Sequence, residues 1–77
     1  MERTWTDAAS KLLKGKKITE VRYLSKKEAR DLGWNRRSIV LQLNDGTVIY
    51  PSRDDEGNDG GALFTTNNEL PIIPVLP

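Results

Sequence analysis

Apolar residues at Trp5, Ala8, Ala9, Leu12 and Leu13 follow the i, i+3, i+4, i+7, i+8 spacing of one helix face, and they predict an amphipathic helix over residues 3–14. Thr4 or Thr6 is placed to cap it, Asp7 suits its positive end, and Lys11, Lys14 and Gly15 suit its C-terminal end. KITEVRYL, 17–24, is β-branched and aromatic and predicts a strand. Val21 and Tyr23 fall on one face, with Ile18, Leu24, Glu20 and Arg22 on the other, an imperfect alternation that calls for a bulge or a two-sided strand. Ser25-x-x-Glu28 is a capping box opening a two-turn helix over 25–34, with Ala29 and Leu32 inward, Lys26, Lys27 and Arg30 toward water, and Gly33 as the stop.

Residues 37–52 carry the strongest periodic signal. Ile39, Leu41 and Leu43 alternate with Val40 and Gln42, Asp45-Gly46 sits in a turn, and Thr47–Tyr50 return. That pattern predicts a hairpin with positive φ at both turn positions, with Pro51 ending the pairing or sitting on an edge. ALFTT, 62–66, predicts another strand and Asn67-Asn68 a turn. Pro71, Pro74 and Pro77 recur every third residue, as in a polyproline II helix, but Ile72, Ile73, Val75 and Leu76 are too apolar to leave in water. An edge strand, open to a second copy of the chain, is the preferred state. The expected architecture is α+β: an N-terminal helix, a short internal helix, and a strongly curved antiparallel sheet of four to five strands, or its closed form, a small SH3-like barrel. All of it lies in one domain, 1–77.

Composition narrows the chemistry. With 36% hydrophobic residues in a chain of 77, almost every large apolar side chain is needed inside, so most of the five aromatics (Trp5, Tyr23, Trp34, Tyr50, Phe64) are expected in the core. Cysteine and histidine are absent. Disulfides, Cys/His zinc and haem sites, histidine acid–base chemistry and Ser-His or Cys-His nucleophiles are thereby excluded. No apolar segment near the start looks like a leader, and PIIPVLP is too short to span a bilayer, so a soluble, cytoplasmic protein with no membrane partner is expected.

Charge is unevenly spread. Residues 1–40 hold eleven Lys/Arg and five Asp/Glu, residues 41–77 one and six, which sum to the net +1. Lys16, Lys17, Arg22, Arg36 and Arg37, with Trp34 and Tyr23 near in sequence, are candidate contacts for a single-stranded nucleic acid. The plainer expectation is that Trp34 plugs the core.

PSRDDEGNDGGALF, 51–64, concentrates acids and glycines. Its oxygens suit calcium, but no EF-hand register fits, since glycine and the final glutamate fall at the wrong positions. Gly60-Gly61 leads into a strand, not a helix, and neighbouring acids repel phosphate. Asp54, Asp55 and Glu56 lack the desolvated cleft that carboxylate catalysis requires. The segment is expected to be a self-braced turn through Ser52, Arg53, Asp54, Asp55 and Asn58, with Asp55 contributing stability. Arg53, Asp54, Asp55, Glu56 and Asn58 would also form a recognition surface.

LGW at 32–34, IVLQLNDGTVIYPSRDDEGNDGGALF at 39–64 and LPIIPVL at 70–76 together resemble a group of small uncharacterised proteins of cyanobacteria and their phages. Asn44-Asp45-Gly46 departs from the two acids expected there. The resemblance implies a compact standalone protein, an accessory or host-interaction factor, and brings no cofactor or catalytic residue. The expectation is a non-catalytic protein that binds an unidentified protein partner, with a nucleic-acid-binding barrel as the alternative, and with neither metal nor cofactor.

Overall fold

Two apolar patterns meet at Val40, one from a strand and one from a helix. A computed structural model describes residues 1–77. In chain order the elements are α1 (Glu2–Leu13), β1 (Ile18–Tyr23), α2 (Lys26–Leu32), β2 (Ile39–Leu43), β3 (Val48–Ile49), β4 (Leu63–Phe64) and β5 (Ile72–Ile73). The class is α+β, as the periodicity predicts. The five strands fall into two antiparallel sheets, β1-β2-β3 and β4-β5, rather than one, and the sheets do not close. The eleven-residue excursion over 51–61 separates β3 from β4, and it spends its backbone groups internally instead of pairing them across a barrel.

Register explains the layering. Val21 pairs with Leu41 and Leu41 with Ile49, so these three share one face. Arg22 pairs with Val40 on the other, and the expected bulge lies between Ile18 and Glu20. Val40, Leu24, Ala29 and Trp34 form the core cluster between that second face and α2. Each large apolar member contributes about 1.5–3 kcal/mol by leaving water. α2 is capped as its sequence predicts, with Ala29 buried as expected but Leu32 42% exposed instead of turned inward. Ser25 Oγ accepts from the Glu28 N–H, Glu28 accepts from the Ser25 N–H, and Gly33 ends the helix at φ 78°.

The hairpin turn differs from expectation. Gly46 has φ 90° and no non-glycine residue has positive φ, so Asp45 is not in the left-handed region. The Gly46 N–H donates to Leu43 O and the Leu43 N–H to Thr47 O. This is a three-residue loop, Asn44–Gly46, with glycine at its left-handed position. Asp45 instead accepts from the Thr47 N–H and pairs with Lys16 at 2.7 Å.

The tail runs back along the sheet. Arg37 and Leu76 exchange two backbone hydrogen bonds of 2.9 Å, and Tyr23 Oη donates to Pro74 O. The short β5 pairs with β4 in the strand form, not the polyproline one.

Most aromatics are not in the core. Only Trp34 is buried, whereas Trp5 is 70% and Phe64 74% exposed. α1 buries none of its residues, starts one residue earlier than predicted, and has no side-chain cap. The radius of gyration, 13.4 Å, exceeds the roughly 11.5 Å of a close-packed chain of this length, as a helix standing off the sheets requires.

Ser38 is fully buried beside Val40, and its Oγ has no hydrogen-bond partner. An unpaired buried hydroxyl costs stability that an alanine methyl does not. Ser38→Ala is expected to leave unfolding free energy unchanged or raise it by about 1 kcal/mol in urea denaturation.

Candidate functional site

The segment 51–61 is built by its own acids. Asp54 Oδ1 accepts from the backbone N–H of Glu56 and of Asn58, both at 3.1 Å, and its Oδ2 accepts from the Asn58 amide at 2.8 Å. The Gly57 N–H closes the turn on Asp54 O, and Gly57 itself has φ 72°. At the base, Ser52 and Gly60 bridge, Ser52 Oγ donates to Asp59 O at 2.9 Å, and the Arg53 N–H donates to the same carbonyl.

Two contacts fasten this turn to the rest of the protein. Trp34 Nε1 donates to Gly57 O at 2.7 Å, while its ring stands edge-on to Tyr50 at 5.7 Å between centroids. Asp59 Oδ1 accepts from three backbone N–H groups, of Asn35 (3.0 Å), Arg36 (2.9 Å) and Gly60 (2.8 Å). The same carboxylate therefore ties the loop to the segment leaving α2. Gly60 and Gly61 are required by space. A Cβ on Gly60 would meet Arg36 O at 2.8 Å, and one on Gly61 would meet the Ser52 carbonyl carbon at 2.7 Å.

Of the five residues proposed as a recognition surface, Asp54 and Asn58 are turned onto the loop's own backbone. Arg53, Asp55 and Glu56 are exposed, and Arg53 reaches Asp54 only at 3.8 Å. Asp55 makes no side-chain hydrogen bond, so the bracing expected of it belongs to Asp54 and Asp59. The sequence signal for Asp59 was its place beside Gly60-Gly61, where a close backbone approach leaves N–H groups in need of an acceptor. No group of three or more acidic side chains gathers into a cage for a metal.

The five basic candidates for nucleic acid do not gather on one face. Lys16 pairs with Asp45 and the Lys17 N–H donates to Asn44, at the hairpin end of β1. Arg37 lies at the opposite end of that six-residue strand, about 20 Å away, where its Nη1 donates to Leu24 O. Arg22 is held by Glu28 at 2.9 Å and Glu20 at 3.2 Å, and the Arg36 side chain is exposed with no partner. Trp34 is 7% exposed and offers no free face for stacking a base, and Tyr23 is half-buried with its hydroxyl tied to the tail.

Electrostatics match the geometry. The Arg22 guanidinium, helped by the Ser25 N–H, pulls Glu28 down to about 2. Lys16, with the Thr47 N–H, holds Asp45 well below the usual aspartate range. The Asn58 amide lowers Asp54, and the Arg36 and Gly60 N–H groups lower Asp59. All are carboxylates with depressed folded-state pKa, so their contribution is complete above the ordinary carboxylate range and is lost as pH falls through the folded values.

Comparison with protein-family models, curated proteins and solved structures gave no match for the chain.

Two outcomes follow for thermal unfolding. Tm should be level from neutrality to about pH 5 and fall steeply below about pH 4, with Asp59→Asn reducing the acid-side loss. At pH 7, Asp59→Ala should lower Tm by several degrees while Asp55→Ala leaves it unchanged, as followed by circular dichroism. Gly60→Ala should cost about 1–3 kcal/mol in urea unfolding, because backbone, not a flexible side chain, meets the added carbon.

Proposed function

We propose that the chain is a non-catalytic binding protein that presents α1 to an apolar groove on another protein. One observation carries this: a twelve-residue amphipathic helix with no buried residue, whose Trp5 is 70% exposed. Trp5, Leu12 and Leu13 form an apolar stripe in water on a domain that has only eight buried residues. A tryptophan of this kind buries on the order of 200 Å² when covered and belongs to the residue types that dominate interfaces. Lys11 in the helix, Lys14 at its C-cap and Lys17 just beyond it favour a groove with an acidic rim, the helix-in-groove mode with charge complementarity. The loop at 51–61 supports the same view by its inward-turned acids, which leave no desolvated carboxylate pair for catalysis. No helix is long and apolar enough to cross a membrane. An accessory or host-interaction role, the one implied by the resemblance at 51–64, fits a small protein that works by contact.

The double variant Trp5→Asp/Leu12→Asp tests the proposal. Both side chains are exposed, so its melting temperature should match the wild type. A protein cross-linked to wild-type bait and absent from the variant bait supports the helix-in-groove mode. Identical captures, or a variant that melts early, contradict it. Sedimentation at twice 8.7 kDa, abolished by the variant, would assign the stripe to a second copy instead.

A further inference from the structure

α2 separates its charges by side. Glu28 and Asp31 line a hollow toward Arg22, Val48 and Tyr50. Lys26 and Arg30 line a different one, of about 260 Å³, together with Arg37. Ala29 and Trp34 form its apolar wall, and Asn35 and Pro77 complete it. No acidic side chain is among them.

None of the three cations is paired with an acidic side chain. Lys26 and Arg30 stand four apart, a spacing at which like charges repel on a helix. The neighbouring four-apart pair, Lys27 and Asp31, is matched in sign at 3.1 Å and faces water. Lys26 is also the first residue of α2, a place that disfavours a cation. Arg37 comes from outside the helix and is half-buried. It is aimed by two carbonyls, with Nη1 donating to Leu24 O at 3.3 Å and Nε to Pro77 O at 3.2 Å, and its other N–H donors stay free. Even with a full negative charge on Pro77, three cations leave a surplus of two.

We infer that this hollow, lined by Lys26, Arg30 and Arg37, binds the phosphate group of a small ligand. A phosphate dianion removes the uncompensated repulsion and takes charge-assisted hydrogen bonds from a pre-aimed arginine. The hollow is smaller than the roughly 300–1,000 Å³ of pockets that enclose drug-sized molecules. Trp34 is 7% exposed, with its N–H already given to Gly57 O, so the indole is a wall and not a stacking platform. The site therefore selects the phosphate and not a nucleobase. It lies on α2 and stands or falls separately from the role of α1.

The test is an ¹⁵N NMR titration of the full chain with sodium orthophosphate, ionic strength held constant with sodium chloride. Saturable shifts confined to Lys26–Arg37, including the Trp34 indole N–H, are expected. Lys26→Gln/Arg30→Gln, both exposed positions, should weaken binding about tenfold or more while the remaining spectrum is unchanged. Adenosine monophosphate should bind as orthophosphate does. Absence of saturable shifts, or equal affinity in the double variant, overturns the site. Adenosine monophosphate binding more than about tenfold tighter overturns the restriction to the phosphate group.

Discussion

A single hydrogen bond joins the interior of this protein to its most unusual surface segment: Trp34 Nε1–H to Gly57 O, 2.7 Å long. The indole belongs to the core cluster with Leu24, Ala29 and Val40. Its polar edge would be unsatisfied there without an acceptor, and the loop at 51–61 supplies one. Asp59 reinforces the junction by taking three N–H groups from two chain segments. Core and loop are thereby joined by directional bonds, although the loop contains almost no apolar side chain.

This arrangement decides what the acids are for. A carboxylate that accepts several backbone N–H bonds is stabilised in its charged form and is poorly placed to give or take protons near neutrality. Asp54 and Asp59 are of this kind. The domain keeps only six apolar side chains buried, which leaves α1, Phe64 and Ile72 in water. So small an interior leaves little apolar volume to enclose a buried cleft.

Local signals in the sequence were reliable where one or two residues decide the outcome. Ser25 and Glu28 start α2, Gly33 ends it, and the apolar alternation over 39–43 makes β2. The bulge in β1 was legible for the same reason. What escaped were properties set at a distance. The helical stripe of α1 predicts a covered face but cannot say by what, and Trp5 is covered by nothing in its own chain. Two sheets in place of one depend on the backbone bonds spent inside 51–61. Asp55 and Asp59 are chemically alike, and only their position relative to Asn35, Arg36 and Gly60 makes one a brace and leaves the other in solvent. Likewise, Lys26 and Arg30 read as a wet helix face until Arg37 is brought beside them by the chain's return.

Hydrogen exchange at the two indole N–H groups probes the junction directly, because the chain carries one tryptophan of each kind. The Trp34 indole proton should be strongly protected and should open together with the amides of Asn35, Arg36 and Gly60, while the Trp5 indole exchanges as in a free peptide. Equal, rapid exchange at both indoles would contradict a loop fastened to the core.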